Sequence, residues 1–402
     1  MSDFSFTIEH TDGASRAGVF TTPHGRVDTP AFMAVGTLAT VKALDPDDLR
    51  AMGAQMILGN AYHLHLRPGD EVVREMGGLH AFMGWERPII TDSGGFQVFS
   101  MGHGTVADEI KGRSRAADRA GRLLSIGEQG ARFRSYLDGS EQFLAPETSM
   151  EIQAALGSDI ALVFDECTPL NVDRDYTARS TQRTHRWLRR CLDWHARNGP
   201  DGQLVYGIVQ GGVHEDLRVE SAGEIAASGC DGIAIGGSLG ADKPQMYEVV
   251  GWATAALGDD DRPRHLLGIG DVDDLIAGVA LGIDTFDCAM PTRLGRHGMA
   301  LVPDPQGRWR VDLTKARWAR SQEPLMDGCP CAACGLGYSR GYWHYLAHAR
   351  ELTAQRLLTL HNLAFVARLM ADLRAAIAAG TLAQRSADLL AGAAPIVPND
   401  PL

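Results

Sequence analysis

The sequence predicts an α/β protein: a parallel (β/α)8 barrel followed by a smaller metal-binding unit. Three observations carry that expectation. Between residues 29 and 293, eight short apolar runs alternate with amphipathic stretches, the rhythm of buried parallel strands and their crossover helices. Most of these runs end in Gly or a polar residue. Past about residue 310 the rhythm gives way to a cysteine cluster and a long helical stretch, 341–378. An open doubly wound sheet is the competing arrangement, but no G-x-G-x-x-G follows a first strand to favour it.

In chain order the runs are PAFMAVGT (30–37), AQMILGN (54–60), RPIITDSGG (87–95) and DIALVFDEC (159–167). They continue with QLVYGIVQGG (203–212), DGIAIGG (231–237), RHLLGIG (264–270) and GIDTFDCAMPTR (282–293). Helical stretches lie between them, among them LDPDDLRAMG (44–53), ETSMEIQAALG (147–157), HEDLRVESAGEIAASG (214–229) and VDDLIAGVALG (272–282). In the second of these, Met150, Ile152, Ala155 and Leu156 keep an apolar face while Glu147 and Glu151 point outward. Two segments break the rhythm: an Arg-rich excursion at 107–127 and, after it, ARFRSYLDGSEQFL, which reads as a hairpin. These observations divide the chain into a barrel over 1–310 with an insertion at about 107–145, a zinc-binding helical unit over 311–380, and a tail over 381–402.

The 402 residues are 45% hydrophobic and 22% charged, which excludes disordered, collagenous and small disulfide-stapled classes. No apolar stretch is long enough to span a bilayer, and the first residues carry neither a basic stretch nor a signal core, so a cytoplasmic protein with no membrane partner is expected. The net charge of −12 argues against a surface that coats nucleic acid wholesale, because phosphate affinity comes from Lys and Arg. It does not argue against a local basic site. Residues 308–374 hold ten Lys or Arg and five Asp or Glu, a basic region of the kind RNA-binding surfaces need.

Seven cysteines, thinly spread and then clustered, are no disulfide framework. The cluster is Cys329-Pro-Cys331-Ala-Ala-Cys334, with His361 following in TLHNLAF. Three thiolates and one imidazole complete a closed tetrahedral zinc site of the structural type. His361 is the expected fourth ligand, with His344 and His348 as alternatives.

In a barrel the carboxyl ends of the strands face the active site. Here those ends carry Asn60, Asp92, Asp165, Gln210, Gly237, Gly270 and Asp287. A lone Asp at a strand end is usually a helix cap, but three at three strand ends suit chemistry better. Two carboxylates divide the work of displacement at an anomeric carbon, one attacking while the other moves a proton. The third, with Gln210 and the backbone of Gly236–Gly237, suits a purine-like edge, since carboxylates accept N–H groups and amide and backbone N–H donate to carbonyls. Arg293 and Arg296, just after Asp287, suit phosphate or base contacts.

DSGGFQVFS, FDECTP, GIVQGG, FDCAMPTRLGRHG and the C-x-C-x-x-C…TLHNLAF ending together resemble tRNA-guanine transglycosylases of the bacterial type, from about residue 5 to about 380. That family is a TIM barrel with a zinc-binding subdomain. The resemblance implies exchange of the wobble guanine of tRNAs with GUN anticodons for a free 7-deazaguanine (7-aminomethyl-7-deazaguanine or queuine), in queuosine biosynthesis. It implies Asp287 as the nucleophile that forms a covalent RNA intermediate, and Asp92 as proton acceptor and donor. It implies a base pocket of Asp92, Ser93, Gly94, Gly95, Phe96, Asp165, Gln210, Gly237 and Leu267, with Phe96 and Leu267 stacking on the base. It implies RNA reading by Gly268, Ile269, Gly270, Asp271, Val272, Asp273 and Asp274, and by Thr292, Arg293, Leu294, Gly295 and Arg296. One structural Zn2+ per chain on Cys329, Cys331, Cys334 and His361, and a homodimer, are implied as well.

The chain departs from the family's pattern at a few places. Asp271 stands where a Lys is frequent. Ser238 follows Gly237 where many members have Leu, and the loop after it is a residue shorter. CGLGYSR is a residue longer. Three rival readings share parts of the pattern: a catalytically silent tRNA-binding subunit, an archaeal-type enzyme acting elsewhere in tRNA or a DNA-modifying relative, and a barrel hydrolase of a nucleoside or glycoside using the same acid pair.

Overall fold

The structure is a computed structural model that describes residues 4–103 and 122–396. All eight predicted runs form strands, and all eight close one parallel barrel. Numbering strands along the chain, these are β4 (Ala31–Gly36), β5 (Ile57–Gly59), β6 (Ile89–Thr91), β10 (Ile160–Leu162), β11 (Leu204–Val209), β12 (Gly232–Ile235), β13 (Arg264–Leu266) and β14 (Thr285–Asp287). Every neighbour is parallel, and β10 pairs with β6 to shut the ring. The strands are buried on both faces, which is why they read as continuous apolar runs rather than alternating ones.

The helices between strands fall where their signals stand. Asp45 opens Pro46–Ala51 with a reciprocal capping box to Asp48. Pro146 starts Pro146–Leu156, and Gly157, left-handed at φ +68°, ends it. The stretch 341–378 differs from expectation, because it is two helices, Arg340–Ala349 and Leu352–Ala378. Arg350 adopts φ +58° between them and caps the first with its N–H on Leu346 and Ala347 carbonyls. The second helix thereby starts in a new direction.

Before the barrel lies an antiparallel sheet absent from the pattern of apolar runs: β1 (Ser5–Asp12), β2 (Ser15–Thr22) and β3 (Gly25–Thr29). It covers the amino end of the barrel. Arg16 on β2 pairs with Asp284, which precedes β14, and His24 in the β2–β3 turn reaches Asp159, which precedes β10. The excursion at 107–127 lies largely outside the described residues. Its last part is a strand, β7 (Leu123–Gly127), that joins β8 (Gly130–Arg134) and β9 (Glu141–Leu144) in an antiparallel sheet. β8 and β9 are the two arms of the expected hairpin.

The C-terminal unit is anchored by Leu352–Ala378, which packs against the helix Met290–Arg296 and the strand β15 (Met299–Leu301). Gly295 permits this approach, since a Cβ there would sit 2.5 Å from the Thr359 nitrogen. Asn362 is fully buried and fully used: it accepts from Leu301 N and donates to the Pro291 and Met299 carbonyls. A final helix, Leu382–Leu390, docks through Arg385 on Asp372.

Candidate active site and metal centre

Asp92 is the first residue past β6. Its carboxylate accepts from the Asn60 amide, from Ala61 N at 2.8 Å and from Gln97 Nε2 at 3.0 Å. Burial pushes its pKa up to about 7, the Asp287 charge adds to the rise, and the Ala61, Gln97 and Gly94 hydrogen bonds oppose it. A carboxyl poised near neutrality both gives and takes protons at physiological pH.

Asp165, three residues past β10, is buried and comes from the strand that neighbours β6. Ser93 Oγ donates to one oxygen at 3.3 Å and Gln210 Nε2 to the other at 2.6 Å. Burial raises this carboxyl to about 6, against the pull of Gln210 and Ser93. Two glycines make room for the pair. A Cβ on Gly237, at φ +80°, would lie 2.1 Å from Gln210 Oε1, and one on Gly95 would lie 2.9 Å from Asp165 Oδ1. Leu267 packs against Gly236, while Phe96 is exposed at the mouth.

Asp287 ends β14 and is 8% exposed. Gly268 N donates to its Oδ1 at 2.9 Å, and His265 Nε2 lies 3.3 Å from the same oxygen. The strand ends thus bring Asp92, Asp165, Gln210, Gly237 and Asp287 to one face of the barrel.

The two segments expected to read RNA are only partly presented. Ile269, Val272 and Asp274 are buried, as are Thr292, Leu294 and Gly295, whereas Gly268 and Arg293 are exposed and Gly270 is buried. Asp271 and Asp273 are half-buried, and their charges are balanced. Arg310 donates to Asp271 at 2.7 Å, and Lys243 lies 2.6 Å from Asp273 and 2.9 Å from Asp274. Among the described residues, half-buried Arg296 bonds only to the Thr292 carbonyl, and it lines a cleft of about 240 Å³ with His297 and Arg350.

Three contributors lie outside the sequence expectations. Gln97 binds Asp92 from the following helix. His265 sits beneath Asp287. Arg218 is fully buried, pairs with no carboxylate among the described residues, and donates to the carbonyls of Val209, Gly212, Gly236 and Ser238, at 2.8–3.0 Å. It thereby ties together the loops carrying Gln210 and Gly237. A signal was present, since Arg218 shares a helical face with Ala222 and Ile225.

The sulfurs of Cys329, Cys331 and Cys334 lie 3.8, 3.5 and 3.4 Å from His361 Nδ1. A tetrahedral zinc with ordinary bond lengths requires an S···N edge of about 3.6 Å, so the four residues form a metal-binding cluster of fitting size. His361 Nε2 donates to the Leu301 carbonyl at 2.7 Å, which orients Nδ1 toward the sulfurs. His344 and His348 face the Leu313 and Thr314 carbonyls instead and are no part of the cluster. A second group, His24, His80 and Asp159, also gathers. Its imidazoles stack at 3.7 Å and 14°, so their in-plane lone pairs run parallel and do not converge on one ion.

The queuine tRNA-ribosyltransferase family model matches residues 12–394. The chain belongs to that family, and is a pentosyltransferase. A queuine tRNA-ribosyltransferase of Roseiflexus sp. (strain RS-1) is 49% identical over 397 residues, covering 96% of this chain and 99% of the relative. Those of Pelotomaculum thermopropionicum and Herpetosiphon aurantiacus are each 47% identical, over 96% and 94% of this chain and 98% and 89% of theirs. Among the described residues no helix is long and apolar enough to cross a membrane.

Proposed function

We propose that the chain exchanges the wobble guanine of tRNAs with GUN anticodons for a free 7-deazaguanine, in queuosine biosynthesis. The observation that carries this reading is the division of labour among three carboxylates on one barrel face. Asp92 sits near pH 7, Asp165 is paired with an amide, and Asp287 is held by the Gly268 N–H. Asp287 attacks C1′ of the target ribose; the C1′–N9 bond breaks and its electron pair leaves with guanine, which takes a proton from Asp92. The incoming base returns a proton to Asp92 as its N9 displaces the Asp287 ester. Two such displacements retain configuration. Asp165, Gln210 and the Gly237 backbone hold the base edge between Phe96 and Leu267, with Ser93 to Gly95 as the pocket floor. The flipped base comes from an unpaired loop, which lowers the cost of extrusion. Arg293 and Arg296 suit the flanking phosphates, and the segment 268–274 suits the neighbouring bases.

Zn2+ fits the Cys329, Cys331, Cys334 and His361 donor set, and a closed site of that kind supplies folding energy and no open coordination position. Extraction of the ion is expected to melt the 311–380 region before the barrel, read as loss of helix signal with barrel cooperativity retained. We place the protein in the cytoplasm, where its tRNA substrate is, and as a homodimer in which one subunit steadies the tRNA for the other.

The deciding experiment is incorporation of labelled guanine into purified tRNA with a GUN anticodon, beside a tRNA lacking that loop. Loop-dependent incorporation is the expected result. Release of base to water without incorporation would instead establish a hydrolase.

A further inference from the structure

His265 is fully buried in the barrel interior. It lies on β13 opposite Thr285 of β14, two residues before Asp287 and therefore on the same inward face of that strand. Its Nδ1 is 3.0 Å from Thr285 Oγ1, and its Nε2 makes no hydrogen bond among the described residues, although Asp287 Oδ1 lies 3.3 Å away. An imidazole nitrogen closed off from water is costly unless paired, and the Asp287 carboxylate is the group within reach. When the Thr285 hydroxyl donates to Nδ1, the ring proton resides on Nε2, 3.3 Å from Oδ1, and a small rotation of the ring completes the bond. Gly268 N donates to that same oxygen, while Oδ2 accepts no hydrogen bond among the described residues.

We propose that His265 is a positioning residue for the nucleophile: with the Gly268 N–H it fixes Oδ1 of Asp287 and presents Oδ2 as the atom that bonds to C1′. This rests on the reading of Asp287 as nucleophile. In the first displacement an Oδ2 electron pair forms the bond to C1′, and the C1′–N9 pair departs with the base. Oδ1 then becomes the ester carbonyl, still facing both donors. In the second displacement the C1′–Oδ2 pair returns to the carboxylate. Hydrogen bonds to a carboxylate are roughly twice as strong as those to a neutral acceptor, so the two donors favour free enzyme over adduct and make Asp287 a better leaving group. Without His265, the balance shifts toward the adduct and its breakdown slows.

The test compares wild type, His265→Leu, His265→Gln, Thr285→Val and Asp287→Asn. Labelled tRNA covalently bound on a denaturing gel at fixed free guanine is measured, with kcat and KM for guanine exchange. For His265→Leu, kcat is expected to fall about 10- to 100-fold, the worth of one charge-assisted hydrogen bond. The adduct fraction is expected to rise severalfold at unchanged KM for tRNA. His265→Gln keeps a donor and is expected to recover most of the rate. Thr285→Val, which frees the ring tautomer, is expected to move both readouts the same way by less. A purely structural role predicts that rate and adduct fall together; that result, or no change in either, overturns the proposal. Should His265→Leu not fold, the Gln and Val variants carry both readouts. A wild type that forms no adduct defeats the transglycosylase reading and this inference with it. An adduct absent only in Asp287→Asn, with the His265 and Thr285 variants unresponsive, defeats this inference alone.

Discussion

Strands β10 and β14 each carry an aspartate at both ends, and the two ends treat the same side chain in opposite ways. At the amino end, Asp284 is bound by Arg16 and by Arg264 N, and Asp159 takes His24, His80 and Ile89 N. Both are nearly sealed from water and both have each oxygen occupied. At the carboxyl end, among the described residues, Asp165 is held by the side chains of Ser93 and Gln210, and Asp287 keeps one oxygen without a hydrogen bond. At the amino end the partners include Arg16 and His24 from the first sheet, far away in sequence, together with His80 and the backbone N–H groups of Arg264 and Ile89. Partners at the other end are largely neutral N–H and O–H donors from adjacent strand ends. Ionic saturation locks a carboxylate in place, whereas neutral, incomplete solvation leaves it able to bond to carbon or to bind a base. One end of the barrel is spent on stability and the other on chemistry.

The comparison predicts a clean separation of effects. Asp287→Ala is expected to eliminate the covalent RNA adduct and lower exchange by roughly 10⁴-fold or more, with a melting temperature close to wild type. Survival of the adduct on a denaturing gel would refute the assignment of the nucleophile. Asp92→Asn removes the proton carrier, with an expected rate loss of about 10²- to 10⁴-fold and little change in tRNA affinity. It should also flatten the pH dependence of exchange near pH 7, where the Asp92 carboxyl titrates. At the opposite end, Asp284→Ala leaves the buried Arg16 guanidinium without its counter-charge, at a cost of about 3–5 kcal/mol in chemical denaturation. Per folded molecule, its exchange rate is expected to stay near wild type. A rate loss in Asp284→Ala comparable to that of Asp92→Asn would erase the distinction between the two ends.

The chemical end was far more legible in the sequence than the stabilising end. Asp92, Asp165, Gln210 and Asp287 follow directly on apolar runs, so strand periodicity alone places them together. The cysteine cluster was equally plain, because three thiols within six residues, in a chain with no disulfide framework, point to one shared metal ion. The first sheet was not, because β1 is largely exposed and owes its strand state to pairing with β2, a tertiary effect that local pattern does not carry. Arg16 and His24 were illegible for the same reason: their partners lie more than 100 residues away. His265 and Arg218 were hidden differently. His265 follows Arg264 in a three-residue strand and Arg218 sits on the buried face of a largely polar helix, and only the fold reveals that one faces Asp287 and the other gathers four carbonyls. The break at Arg350 was invisible too, since a non-glycine residue with positive φ has no compositional mark.

The smallest effect follows from opposite signs of pKa shift at the two ends of β10 and at Asp92. Asp159 is buried, which alone would raise its carboxyl, but His80, His24 and Ile89 N bring it below the ordinary value. A lowered carboxyl contributes stability that is present above the ordinary carboxylate range, near pH 4, and is lost as pH falls through its folded value. Asp92 and Asp165 are raised to about 7 and about 6, principally by burial. The folded state binds their protons more tightly than the unfolded chain does. Their contribution is therefore full below the ordinary carboxylate range and is lost as pH rises through 6 to 7. Melting temperatures of Asp159→Asn and Asp92→Asn from about pH 2.5 to about pH 8.5 resolve the two signs. The deficit of Asp159→Asn relative to wild type is expected to shrink toward the acid limit. Asp92→Asn is expected to gain on wild type above pH 7, where the native carboxyl must ionise in a buried site. Parallel curves for the two variants would mean that both ends of the barrel solvate their carboxylates alike.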